Sequence, residues 1–106
     1  MARALVNMPR SARRGEVIEI RALIAHPMES GYRADAEGRL LPVDIVRRFT
    51  ARYDADVVFS AELFPAIAAN PYLAFFTVAV ASGTLSFTWE GDQGFSQTES
   101  VALSVA

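Results

Sequence analysis

One stretch constrains the fold more than any other. From residue 84 to 90 the chain alternates without a break, with Leu85, Phe87 and Trp89 on one side and Ser86 and Thr88 on the other. A period of two sends successive side chains to opposite faces of an extended strand, so this segment reads as a half-buried strand. The same alternation recurs in residues 15–26, where Ile18, Ile20, Ala22 and Ile24 share a face and Glu19 and Arg21 lie opposite. It recurs at the C-terminus, with Val101, Leu103 and Val105 inward and Ser100 and Ser104 outward. Leu5 to Met8, ending before Pro9, is a shorter strand candidate. Residues 57–63 place Val57, Phe59, Ala61 and Leu63 on one face. Residues 44–53 are less regular, because Arg47 shares a face with Ile45, Phe49 and Ala51. A helix over 43–49 competes there, and the β-branched and aromatic content through Tyr53 favours a strand from about Ile45.

Turn chemistry separates these runs. Asp54-Ala55-Asp56, Ser82-Gly83 and the Gly-rich segment from Glu90 to Gly94 read as hairpin turns. Residues 27–42 hold Gly31, Gly38 and several charges and read as a long loop, and 65–71, bounded by two prolines, as an irregular crossover. Seven short strands at this spacing predict an all-β fold, an antiparallel sandwich of two sheets packed face to face. At 106 residues the chain is one domain spanning 1–106.

The run 72–81 breaks the pattern in an informative way. Leu73, Phe75, Thr77 and Ala79 occupy one face, and Tyr72, Ala74, Phe76, Val78 and Val80 occupy the other. A strand of a small sandwich has only one core face. The second apolar face is therefore exposed to solvent, covered by a partner, or covered by the 27–42 loop. A patch of about a few hundred Å² is the size at which exposed apolar surface marks interaction sites. Tyr72, Ala74, Phe76, Val78 and Val80 are accordingly the candidate partner interface.

The composition excludes several chemistries. There is no cysteine, so the chain holds no disulfide, thiol nucleophile, CxxC motif or cysteine-ligated metal. A single histidine, His26, excludes a multi-histidine metal site. All ten basic residues are arginine, the net charge is −2, and this near balance argues against nucleic acid as a partner. The longest apolar run, 72–81, is too short to span a bilayer as a helix, which needs about 20 residues. Residues 1–30 show no apolar core of a signal peptide, and Arg13-Arg14 resembles a twin-arginine start only superficially.

His26 ends a strand on the parity of Ile24, where it caps the strand end by bonding loop backbone. The enzymatic alternative would use His26 with Glu29 or Asp44, and it lacks an evident nucleophile. Glu90 and Asp92 are too few for calcium, which takes about 6–8 oxygen ligands. Asp54 and Asp56 read as turn formers, Glu29, Asp35 and Glu37 among Arg33 and Arg39 as a solvated loop, and Trp89 as packing. No phosphate loop or nucleophile elbow occurs. The residues alone imply no catalytic group, cofactor or metal.

Several stretches go further. Gly15-Glu16-Val17-Ile18-Glu19-Ile20, Ala25-His26-Pro27-Met28-Glu29-Ser30-Gly31, Arg48-Phe49-Thr50, Phe59-Ser60-Ala61-Glu62-Leu63, Ala69-Asn70-Pro71-Tyr72-Leu73 and Phe87-Thr88-Trp89 resemble, in order and spacing, the SoxZ family. The likeness runs from about residue 3 to the C-terminus. Its more specific parts are the loop motifs, His26, Pro27, Met28 and Gly31 in one and Asn70 and Pro71 in the other. It implies an immunoglobulin-like sandwich of about seven strands and a non-catalytic subunit of the SoxYZ sulfur carrier. In that heterodimer the SoxY partner carries sulfur intermediates on the cysteine of a flexible C-terminal arm during thiosulfate oxidation. The resemblance further implies contact with other sulfur-oxidation enzymes through the complex and a periplasmic location reached with SoxY. The isolated subunit, its apolar face uncovered, can form a homodimer. The chain departs from the family at Phe76, Val78 and Val80, where polar residues are usual, and after Trp89, where an acidic pair is common and this chain has Glu90-Gly91-Asp92. Those departures leave open a SoxYZ-like carrier or binding module of another periplasmic oxidation system, such as a quinoprotein dehydrogenase.

Overall fold

The computed structural model describes residues 3–64, 67 and 69–106. Eight strands form in chain order: β1 (Ala4–Asn7), β2 (Ser11–Ala12), β3 (Val17–Ile24), β4 (Val46–Tyr53), β5 (Asp56–Glu62), β6 (Tyr72–Val78), β7 (Gly83–Gly91) and β8 (Ser96–Val105). They assemble into a three-stranded sheet, β1-β3-β6, and a five-stranded sheet, β2-β8-β7-β4-β5. The expected all-β sandwich is the observed fold. Neighbours within each sheet are antiparallel except β2, which pairs parallel to β8 through Ser11 and Ala12. A two-residue Ser-Ala strand has no periodicity to read, so the count rises from seven to eight.

The alternation maps directly onto the core. Ile18, Ile20, Ala22 and Ile24 of β3 and Leu85, Phe87 and Trp89 of β7 are fully buried, and Val101 and Leu103 join them from β8. Phe49 on β4 is the hub, with ring centroids 5.1 Å from Trp89 and 6.0 Å from Phe75 across the sandwich. Phe59 of β5 stacks on Phe75 of β6 at 4.4 Å, which joins the edges of the two sheets. Aromatic contacts of this kind add to the area they remove from water.

Two β-bulges account for the irregular strands. Between Val46 and Arg48 the pairing to β7 slips by one, leaving Arg47 as the extra residue. Val46 and Phe49 can then both face the core while Arg47 points out, and the competing helix over 43–49 does not form. Gly91 sits opposite this bulge, where a Cβ would lie 2.4 Å from the Ile45 carbonyl oxygen, so no larger residue fits. A second slip, opposite Ala51 and Arg52, passes over Val58. It corrects the reading of 57–63. Val57 turns outward and is 54% exposed, and Val58 packs against the core in its place.

The turn assignments divide. Asp54 joins β4 to β5 with a left-handed φ of 53°, and its carboxylate accepts the Thr84 N–H at 2.9 Å. A 3-10 turn over Asp92–Gly94 closes the β7–β8 hairpin. Ser82-Gly83, however, is no hairpin, because β6 and β7 lie in different sheets and the chain crosses between them. The 65–71 segment likewise links the two sheets, with residues 65, 66 and 68 outside the described set.

Candidate functional site

Two regions collect the residues singled out by the sequence. The first lies at one end of the sandwich and is built from the two loop motifs. The His26 backbone N–H donates to Asn70 Oδ1 at 2.9 Å, and the Asn70 N–H donates back to the His26 carbonyl at 2.7 Å. The Ile24 N–H donates to the Pro71 carbonyl at 3.2 Å, extending the clamp by one more bond. Asn70 holds a left-handed φ of 54°, a conformation Asn tolerates better than most side chains. Met28, also left-handed at 53°, is fixed twice: its N–H donates to His26 Nδ1 at 2.9 Å, and its Sδ accepts the Val46 N–H at 3.2 Å. Gly31, at φ 90°, lies where a Cβ would meet Val43 Cγ2 at 2.7 Å. Pro27 remains exposed and Pro71 is buried.

His26 is thus buried, with its ring hydrogen-bonded within its own loop. Because Nδ1 accepts from Met28, the neutral ring carries its proton on Nε2, which points to Asp44 Oδ1 at 3.8 Å. Its ring packs edge-on against Phe95 at 5.1 Å. In the neutral ring Nδ1 is thus engaged as an acceptor and Nε2 bears the proton. Nearby, Asp92 ties the β7–β8 turn to β4 by accepting from Arg47 Nε at 3.0 Å and from the Ile45 N–H at 3.1 Å. The Arg47 hydrogen bonds, aided by the Ile45 amide, hold the Asp92 carboxyl below its ordinary value. Arg33 does the same for Glu29 in the neighbouring loop. That loop is more structured than a run of solvated charges suggests, since Asp35 Oδ1 accepts the backbone N–H groups of Glu37 and Arg39. Among the described residues no cluster of acidic, histidine or cysteine side chains could hold a metal ion.

The second region is the outer face of the β1-β3-β6 sheet. Tyr72, Ala74, Phe76, Val78 and Val80 all lie on it and all are exposed, Phe76 at 63%. The 27–42 loop does not cover them. Strand pairing adds residues that the β6 pattern could not name. Val17 lies opposite Val78, Leu23 opposite Tyr72, and Leu5 opposite Leu23. The signal for Val17 and Leu23 was present in their parity, outward with Glu19 and Arg21, but only the register brings them beside β6. The middle of the face carries one ion pair, Arg21 to Glu19 at 3.0 Å, with Glu19 beside Phe76 and Arg21 beside Ala74. At one end Leu5, Asn7, Arg21, Leu23 and Tyr72 line a hollow of about 190 Å³. β6 is also an edge strand, paired only to β3. It therefore presents unpaired backbone groups beside exposed apolar side chains, a combination that invites association. Beneath its far end the Tyr53 hydroxyl bonds the Ala81 carbonyl and accepts the Val80 N–H, anchoring the segment that carries Val80.

Comparison with known proteins gives one family and one fold. A family model described as sulphur oxidation protein SoxZ matches residues 6–102. No individual curated protein matches the chain by sequence. Among solved structures, the sulfur carrier protein SoxY from Chlorobium limicola f thiosulfatophilum is similar at 10% identity and a TM-score of 0.69, over 97% of this chain and 78% of that one. A superoxide reductase (neelaredoxin) from Ignicoccus hospitalis is similar at 13% identity and a TM-score of 0.72, over 97% and 80%. A putative superoxide reductase from Thermotoga maritima is similar at 14% identity and a TM-score of 0.73, over 97% and 85%. At these identities the structural likenesses establish the sandwich architecture alone.

Proposed function

This chain belongs to the SoxZ family of sulphur oxidation proteins, and from that premise we propose that it is the non-catalytic subunit of a SoxYZ sulfur-carrier heterodimer. In this reading a SoxY-like partner seats on the outer face of the β1-β3-β6 sheet, and the partner's C-terminal cysteine carries the sulfur intermediates. The family match over residues 6–102 carries the reading, and the exposed row Tyr72, Ala74, Phe76, Val78 and Val80, continued by Val17, Leu23 and Leu5 on the neighbouring strands, is the face assigned to the partner. Permanent interfaces are large and more apolar than ordinary surface, with residues such as Tyr and Phe as anchors. This face has that composition. A chain without cysteine can serve thiol-based sulfur transfer only if another chain brings the thiol.

The role of His26 fits the same division of labour. Its ring is occupied in holding the 26–31 loop and is not offered to a substrate. Among the described residues no helix is long and apolar enough to cross a membrane. Periplasmic residence, reached together with the partner, follows in this reading from the family. A second reading rests on Phe76, Val78 and Val80 standing where the family usually has polar residues. It places the same heterodimer in another periplasmic oxidation system, such as that of a quinoprotein dehydrogenase.

Co-expression with a SoxY-like protein that ends in a cysteine-bearing arm, followed by size-exclusion chromatography, tests the assembly. One peak containing both chains is expected, and two proteins that never comigrate would overturn it. His26→Asn, which keeps an acceptor at the δ position for the Met28 N–H, is expected to retain sulfur transfer in the intact complex. Loss of transfer with the complex still assembled would return His26 to the chemistry.

A further inference from the structure

We propose that a groove on the opposite side of the molecule, formed by Arg48, Thr50, Arg52 and Ser60, binds a small tetrahedral oxyanion of the sulfate class. Arg48, Thr50 and Arg52 are the outward residues of β4, and Ser60 lies directly across from Thr50 on β5. At about 3.3 Å per residue the two arginine Cα atoms stand roughly 13 Å apart. Two long side chains leaning inward across that span close over a small anion. The short Thr50 between them, only 7% exposed, forms the floor of a groove of about 290 Å³. The bulge at Val58 helps to shape it, because it turns Val57 outward to become a wall beside Arg52.

The two arginines of this groove are less engaged than Arg21, Arg33 and Arg47. Arg21, Arg33 and Arg47 each meet a carboxylate at 3.0 Å or closer. Arg48 reaches Glu62 only at 3.9 Å, and Arg52 makes no ion pair among the described residues. One strand to the side, the hydroxyls of Thr88 and Thr98 satisfy each other at 3.2 Å. Thr50 and Ser60 have no such side-chain partner among the described residues. The groove therefore gathers two guanidinium groups and two hydroxyl donors around one space. Guanidinium forks bind oxyanions through paired, charge-assisted hydrogen bonds. A tetrahedral anion can accept from both arginines at its sides and from the hydroxyls below. Glu62 is the built-in competitor, and it must release Arg48 when the anion enters.

The site stands on this geometry and is separate from the β1-β3-β6 face, so it holds or fails independently of the heterodimer. The test is an NMR titration of the full chain, alone or in complex with its partner, with sulfate, thiosulfate and phosphate in turn. Ionic strength is held constant with chloride. Saturable shifts centred on residues 48–52 and 60–62 are expected for at least one of the three, and comparing them tells sulfur oxyanions from phosphate. Arg52→Ala is expected to weaken binding about tenfold by removing one charged fork, and Glu62→Gln to strengthen it. Arg21→Ala, on the other face, leaves binding unchanged. Shifts that never saturate with any of the three, or binding indifferent to Arg52→Ala, would overturn the proposal.

Discussion

The two sheets of this sandwich bury the same kind of residue and expose opposite kinds. The outer face of β1-β3-β6 carries Leu5, Val17, Tyr72, Phe76 and Val78, all exposed. The outer face of the larger sheet carries a row of hydroxyls, Ser60, Thr50, Thr88 and Thr98, running across four strands, with Ser86 beside Ser100 in the next row. Thr is a good strand former and Val a better-buried one, so secondary structure is served equally by either surface. The inner faces had no such freedom, because the core had to be apolar. What the molecule associates with is written in the alternate positions that folding leaves unconstrained. An apolar outer face suits a permanent partner, and a hydroxyl face with two arginines suits water and small anions.

The comparison can be broken most directly at Phe76. Phe76→Asp is expected to cost the heterodimer at least about 2 kcal/mol, roughly 30-fold in affinity, as central aromatic anchors do. The thermal midpoint of the isolated chain should hardly move, since the side chain is already in solvent. Analytical ultracentrifugation of the two chains, with a melting curve of each variant, would check both halves. An unweakened complex would move the partner to another surface.

Next in size is the clamp between the loop motifs. Asn70→Ala removes the acceptor for the His26 N–H and places a residue poorly suited to φ 54°. A loss of about 1–2 kcal/mol in urea unfolding is expected, with Asn70→Asp recovering part of it. Because the Asn70–His26 bonds lie at the end of the sandwich and not on either outer face, assembly measured below the urea unfolding range should be normal. If Asn70→Ala dissociates the complex while the fold is intact, the motif belongs to the interface after all.

A smaller effect is expected at Asp92. Its carboxyl titrates below the usual value when folded, so its contribution is complete above the unfolded carboxylate range and fades as pH falls toward the folded value. Acid unfolding of Asp92→Asn should accordingly show a flatter decline through that range than the parent chain, followed by tryptophan fluorescence. The smallest effect is expected on the hydroxyl face. Thr98→Val should change stability by no more than about 0.5 kcal/mol and leave the heterodimer unaltered. If it weakened assembly as Phe76→Asp does, the roles of the two faces would be reversed.

Much of this was legible in the chain itself. Alternation in β3, β7 and β8 named the buried residues one by one, and the doubled apolar pattern of 72–81 marked an exposed face before any sheet was known. Arg47 and Val57 were misplaced or ambiguous because strict parity assumes an unbroken ladder. A bulge is a property of two strands together, and neither shows it alone. Ser82-Gly83 has the residues of a hairpin turn, yet it crosses between sheets because the next strand pairs with β4 and β8.

The sequence by itself determined which side chains seek the core, that the fold is all β, and that any thiol chemistry belongs to another chain. These follow from local periodicity and from composition, which need no partner strand. Only the tertiary structure decided which strands share a sheet, that Val17 and Leu23 extend the face of Phe76, and that Asn70 closes on His26 across 44 positions of chain. Those arrangements rest on hydrogen bonds and register between distant segments, and such pairings have no local signal to read.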